Sequence, residues 1–164
     1  KNRSFIKPKE FPIVITHAIG ATSRVRKRKG TDLIIDAINA LKSKGINIDF
    51  KIFIGKPHKL VLNAIANSDI HIDQIGVGWY GTITAESMAL GTPVVCEIRP
   101  DLEKYVNEKL PILKVNKSNI LRKIEEIIFD TKLRKRLSIE GFKYAQKNHH
   151  STQIAKRLLK IYNC

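Results

Sequence analysis

The residues best equipped for chemistry lie in one run, Gly78-Trp79-Tyr80-Gly81-Thr82-Ile83-Thr84-Ala85-Glu86. A glycine-containing segment leads straight into a helix predicted over Thr82 to Leu90, which Gly91-Thr92-Pro93 ends. The first amides of such a helix, near Thr82 and Ile83, have no partner within it and sit at the positive end of its dipole. That is a seat for an anion, and for phosphate in particular. Gly81 lets the backbone approach a ligand closely. Glu86 shares a helical face with Thr82, Ile83, Ala89 and Leu90, read here as the packed side. A carboxylate turned inward needs hydrogen-bond donors. A sugar diol supplies two, and an arginine in a structural ion pair also serves.

The second candidate is a cluster of cations. Arg24, Arg26, Lys27, Arg28 and Lys29 place five positive charges within six residues. They form either a solvated loop or a compact anion site. Around them the chain alternates strands and helices. Pro12 to His17 is a buried β-branched strand, 18–29 a loop of small and basic residues, and Gly30-Thr31-Asp32 the start of a helix that ends at Gly45. A strand over Ile48 to Ile54, the turn Gly55-Lys56-Pro57-His58 and a helix through Leu62 and Ile65 follow. Further strands are predicted over 69–73, 94–97 and 112–115, and helices over about 117–129, 131–147 and 151–162. This order predicts an α/β class, a Rossmann-like doubly wound parallel sheet in a single domain over 12–164, with 1–11 a linker or ragged start. Ligands of such sheets bind at the carboxyl ends of the strands, where the loops 18–29, 55–58, 74–81 and 98–101 fall.

Composition narrows the classes. With 164 residues and 43% apolar side chains the chain can bury a core, and no apolar run approaches the ~18 residues of a membrane span. The opening Lys-Asn-Arg-Ser-Phe has no apolar h-region, and lacking Met it reads as the start of a piece cut from a longer chain. Cys96 lies in an apolar strand and Cys164 is the last residue, so two reduced thiols of a cytoplasmic protein are expected rather than a disulfide or a zinc site. The net charge of +15 is unevenly spread: +10 over residues 1–60, −3 over 61–100 and +8 over 101–164. The basic residues of 117–160 make a solvated face, or a surface for anionic lipid headgroups. A basic nucleic-acid-binding α/β domain is the reading the charge alone invites. Aromatic residues are 7% of the chain and do not interleave with the cations as on a stacking surface, so no nucleic acid is expected.

Gly-Trp-Tyr-Gly followed by Glu-Ser-Met-Ala-Leu-Gly-Thr-Pro-Val-Val resembles the nucleotide-sugar loop of family 4 retaining glycosyltransferases (group 1), which have the glycosyltransferase-B fold. Thr16-His17-Ala18, Lys29-Gly30-Thr31-Asp32, Pro57-His58, Ser68-Asp69-Ile70, Asp73-Gln74, His150-Ser151 and Leu159-Lys160-Ile161-Tyr162 follow the same pattern in order, so the resemblance spans about residues 11–162. It is specific over 78–95, moderately so at Lys29-Gly30, and weak elsewhere.

The resemblance implies the C-terminal, donor-binding half of a two-domain enzyme, with the N-terminal acceptor half absent. Glu86 is then the ligand of the ribose hydroxyls, the amides near Thr82 and Ile83 hold the diphosphate, and Lys29 with Arg24 or Arg26 neutralises it as it leaves. Pro57 and His58 lie in the turn that cradles the base through backbone groups. Trp79 and Tyr80 either shape the sugar pocket beside Gly78 and Gly81 or, for Trp79, pack in the core. The donor is a UDP-, GDP- or ADP-sugar, and neither cofactor nor metal is expected. The activity implied is hexosyl transfer in polysaccharide or glycoconjugate assembly by the full-length chain, with the isolated domain inactive in transfer. The enzyme would be cytoplasmic or peripheral to the inner face of the membrane, near a lipid-linked acceptor. A sugar-nucleotide 2-epimerase shares the fold and is the alternative enzyme. Two departures stand out: the family often has a glutamate eight residues before Glu86, where this chain has Gly78, and its usual G-x-G after the second strand is replaced by Gly55-Lys56-Pro57. His17, His58 and His71 are expected to be satisfied structural histidines, and His149-His150-Ser151 a break between helices.

Overall fold

The computed structural model describes residues 12–106 and 108–162. The expected linker over 1–11 and Cys164 lie outside the described residues. In chain order the elements are β1 (Ile13–Ile19), α1 (Ser23–Arg28), α2 (Thr31–Ser43), β2 (Ile48–Ile54), α3 (His58–Ala66), β3 (Ile70–Ile72) and α4 (Thr82–Ala89). Then come β4 (Val94–Cys96), α5 (Pro100–Glu103), β5 (Leu113–Lys114), α6 (Ile120–Phe129), α7 (Thr131–Asn148) and α8 (Ser151–Tyr162). The five strands form one sheet in the order β2-β1-β3-β4-β5, every pair parallel. The chain moves outward from β1 to β2, then crosses back to lay β3 on the other side of β1. That reversal puts a switch point at the carboxyl ends of β1 and β3, where the loops of a doubly wound sheet part to leave a crevice.

Successive residues of a strand face opposite sides, so both faces need apolar cover. Ile13, Ile15, Ile70, Ile72 and Val95 pack with Ile34, Ile38 and Leu41 of α2 and Ile124, Ile127 and Ile128 of α6. On the opposite face Val94 and Cys96 pack with Met88 of α4 and Tyr144 and Ala145 of α7, while Ala18 packs with Val61 and Ile65 of α3. Burial, followed by the charge of Asp73, pushes the Cys96 thiol up to about 12, so it stays protonated and unreactive. Helix α4 is seated on α7: Ser138 Oγ donates to the Gly91 carbonyl at 2.6 Å, and a Cβ at Gly141 would lie 3.3 Å from Met88. Among the described residues no helix is long and apolar enough to cross a membrane.

Two elements depart from expectation. The loop predicted over 18–29 contains the helix α1. Thr22 caps it by accepting from the Val25 amide, and Arg26, Lys27 and Arg28 complement the negative end of its dipole, so a dense cation run is helical here. The loop over 98–101 opens the short helix α5, with Pro100 in its first turn.

The Lys29-Gly30 turn is clamped to the end of β3, because the Ile75 amide donates to the Lys29 carbonyl at 3.0 Å. Gly30 has φ +66°, and a Cβ there would lie 2.0 Å from the Ile75 carbonyl oxygen. Gly30→Ala is expected to cost about 2–4 kcal/mol, from left-handed strain plus a backbone clash. Urea unfolding of the variant checks this, and a loss below about 1 kcal/mol would show that the turn yields freely.

Candidate functional site

Asp73 is the first residue beyond β3, and its side chain is fully buried. Three groups from two parts of the chain, the turn after α1 and the start of α4, converge on it. Lys29 Nζ forms an ion pair with Oδ1, Thr84 Oγ1 donates to Oδ2 at 2.7 Å, and the Gly81 amide lies 3.5 Å from Oδ2. Burial alone would raise the carboxyl's pKa. The ammonium of Lys29, His71 and the hydrogen bonds from Lys29 and Thr84 outweigh it and hold Asp73 below the usual carboxylate range. One carboxylate thus fixes a cation from the turn after α1 beside the start of α4. Sequence reasoning matched Asp73 to a family pattern without giving it a role. The available signal was an acid one residue past a buried strand, at the edge where ligands bind.

Gly81 is the N-cap of α4 and offers no side-chain cap, so the Thr82 and Ile83 amides remain at an open helix start. A cavity of about 770 Å³ opens there, lined by Trp79, Tyr80, Gly81, Thr82, Glu86 and His149 among others. Trp79 and Tyr80 stack with ring centroids 5.2 Å apart, and both pack against the core beneath α4. Tyr80 Oη lies 3.3 Å from Tyr144 Oη and 3.3 Å from His149 Nε2. The expected helix break at His149 is therefore also a wall of the cavity. Burial, then the charge of Arg157, lowers the pKa of His149.

Glu86 does not face the packed side. The buried face of α4 is Thr84, Ser87 and Met88, and Glu86 turns toward the cavity with its side chain 28% exposed. The reason lies in α4 itself: its inner face is largely small and polar, so apolar spacing does not mark which side packs. The partner of Glu86 is not an arginine. His58 Nε2 lies 2.9 Å from Oε1. His58 is accordingly no buried structural histidine; its side chain is 64% exposed, at the first turn of α3. Pro57 caps that helix. Gly55 (φ +56°) turns the chain against Ala21, whose Cβ would sit 2.9 Å from a Cβ at position 55.

The cation cluster divides. Lys29 points inward with 13% of its side chain exposed, while Arg26 donates to Asp32 Oδ1 from Nε at 3.0 Å and Nη2 at 2.5 Å. Arg24, Lys27 and Arg28 are exposed. Position 78 has its own constraint. Gly78 has φ +82°, and a Cβ there would lie 2.2 Å from Cδ of Arg99, whose amide donates to the Gly78 carbonyl at 2.8 Å. The stem of Arg99 fills the space that a glutamate at 78 needs. Its guanidinium is held by Asp101 at 3.0 and 2.6 Å.

His17 and His71 sit behind the site in β1 and β3. His17 Nδ1 donates to the Ile72 carbonyl at 2.8 Å and Nε2 lies 2.9 Å from Thr31 Oγ1, so His17 is satisfied as expected; His71 Nδ1 lies 3.0 Å from Thr16 Oγ1, but its buried Nε2 has no partner among the described residues, so His71 is only half satisfied. Burial is the main cause that lowers their pKa values, to about 4 for His17 and about 3 for His71.

No known family profile matches the chain, and no curated protein matches it. Solved structures do. TarM has a TM-score of 0.65 at 13% identity, over 96% of this chain and 37% of its own. HepE from Anabaena, solved in complex with UDP-glucose, has a TM-score of 0.64 at 14% identity, over 93% and 49%. Sucrose-phosphate synthase from Thermosynechococcus elongatus has a TM-score of 0.66 at 18% identity, over 95% and 46%. A putative UDP-N-acetylglucosamine 2-epimerase from Listeria monocytogenes matches with a TM-score of 0.53 at 10% identity, over 79% and 39%. This chain thus spans less than half the length of each. At these identities the likeness establishes the fold alone, a Rossmann-like parallel α/β sheet that these glycosyltransferase neighbours also contain.

The buried histidines set an acid limit. Between about pH 4 and the ordinary histidine value of 6.5 the unfolded chain binds protons that folded His17 and His71 do not, so stability falls as the pH drops through that window. Asp73 works lower, its contribution being lost only as the pH falls through its depressed pKa. The thermal midpoint is expected to decline from pH 6.5 to 4, and His71→Asn, which cannot titrate, to flatten that slope. Parallel profiles for the two proteins would contradict the assignment.

Proposed function

We propose that this chain is the donor-binding half of a retaining glycosyltransferase that takes a hexose from a UDP-, GDP- or ADP-sugar. The observation that carries the reading is the grouping of three features around the start of α4: its uncapped first turn and Glu86 one turn along, which both line the cavity, and the inward cation Lys29 tied to that first turn through Asp73. The amides of Thr82 and Ile83 would receive the diphosphate. Lys29 keeps ammonium protons for phosphate oxygens beyond its bond to Asp73. Because Asp73 offsets its charge, the diphosphate also draws on the helix dipole and on Arg24 or Arg26, the latter after release from Asp32. Glu86 would take the ribose diol, the turn Gly55-Lys56-Pro57-His58 the base, and the stacked Trp79 and Tyr80 with Gly78 the sugar end.

In transfer, the bond between the anomeric carbon and the diphosphate oxygen breaks, and its electron pair leaves with the diphosphate. An acceptor hydroxyl oxygen bonds to that carbon from the same face, and its proton passes to an oxygen of the departing diphosphate. The cations act by stabilising charge as it develops on the leaving group. The acceptor would be held by the other half of the two-domain enzyme, in polysaccharide or glycoconjugate assembly. The basic surface of α6 to α8 suits an anionic membrane carrying a lipid-linked acceptor.

Titration calorimetry with UDP, GDP and ADP tests the reading. One of the three is expected to bind and to raise the thermal midpoint, with Glu86→Ala and Lys29→Ala each weakening it by about tenfold or more. Affinity unchanged in both variants would overturn the assignment.

A further inference from the structure

Glu86 belongs to α4 and lines the cavity, and His58, at the start of α3 outside that lining, reaches it across the gap between the two helices. The bond engages one carboxylate oxygen, Oε1, at 2.9 Å. For Oε2 no partner occurs among the described residues. A partly exposed glutamate samples several rotamers, and holding it in one of them to meet a ligand costs conformational entropy. The bond from His58 bears that ordering before any ligand arrives. The backbone that carries the donor is anchored, by Pro57 entering α3 and the Gly55 turn packed on Ala21, while the imidazole itself is mostly exposed. Among the described residues no other side chain bonds the Glu86 carboxylate, and the buried polar groups of α4 bond elsewhere. Thr84 bonds Asp73, and Ser87 bonds the Ile83 carbonyl at 2.6 Å.

Resting on the donor-site reading above, we propose that His58 is a positioning residue whose side chain orients Glu86, so that the pair selects ribonucleotides over 2′-deoxyribonucleotides. The second carboxylate oxygen is left to accept from the ribose hydroxyls. A deoxyribose leaves that acceptor short of a donor in a partly desolvated site, and such omissions are penalised more heavily than a missing contact to a flexible group. Without His58 the carboxylate reaches the diol only after losing its own freedom, and discrimination falls. Glutamine carries an amide N–H at a reach similar to that of histidine Nε2, so His58→Gln retains the function and His58→Ala does not.

The test is the ratio of dissociation constants for the 2′-deoxy and ribo forms of whichever of UDP, GDP and ADP binds most tightly. It is measured by calorimetry on the wild type, H58A, H58Q and E86Q, with the thermal midpoint of each variant recorded. The wild-type ratio is expected to be about tenfold or more, falling to within about threefold in H58A and E86Q and recovering in H58Q. If E86Q collapses the ratio and H58A does not, Glu86 binds ribose without help and the proposal fails while the donor-site reading stands. If E86Q leaves the ratio intact, or none of the three nucleotides binds, the donor-site reading itself fails. If H58Q behaves as H58A, the hydrogen bond is not the agent and the proposal is overturned. A fall in thermal midpoint without a change in ratio assigns His58 a structural role only, which also overturns it.

Discussion

A buried carboxylate must be paired, and in this protein the pairing of Asp73 organises the crevice. Its partners come from the end of α1 (Lys29) and from the cap and first turn of α4 (Gly81 and Thr84), so the end of β3, the end of α1 and the start of α4 share one geometry. The bond is local in space and distant in sequence; Lys29 and Asp73 are 44 residues apart. Its cost of burial is offset chiefly by Lys29 and Thr84, so losing either leaves a buried charge short of a partner. The clamp between Ile75 and Lys29 works to the same end from the backbone side, holding the turn before α2 against the exit of β3.

Charge is distributed along the chain to suit this arrangement. The only stretch with a net negative charge, residues 61–100, contributes Asp73 and Glu86, and it folds against the most basic stretch, which contributes Lys29 and His58. Most remaining ion pairs are solvent-exposed, such as Lys44 with Glu125 and Arg122 with Glu126, and contribute little to stability. The excess of cations therefore serves the long-range field more than the fold, and that field attracts polyanionic ligands before contact.

The sheet and most helices were legible because their apolar periodicity is strong: β-branched runs in β1 and β2, and the Ile34, Ile38, Leu41 stripe of α2. The open start of α4 was legible too, since a glycine before a helix signals it locally. Helix α1 was not, because a run of cations carries no apolar period and is stabilised by its cap and dipole. The orientation of Glu86 is not legible because α4 packs through Thr84, Ser87 and Met88, a face that apolar spacing does not mark. Its partner His58 lies 28 residues upstream, and no local rule links the two. The same holds for Arg99 over Gly78: the absence of a side chain at 78 is visible in the sequence, and what fills the gap is not.

That last contact couples two sites in evolution. With the Arg99 stem in place, any side chain at 78 collides with it and also inherits a backbone conformation that only glycine adopts readily. Arg99 is itself exposed, so trimming it removes only its surface bond to Asp101. The coupling therefore runs one way: position 99 is free to drift, whereas position 78 is held to glycine by its left-handed turn whatever stands opposite.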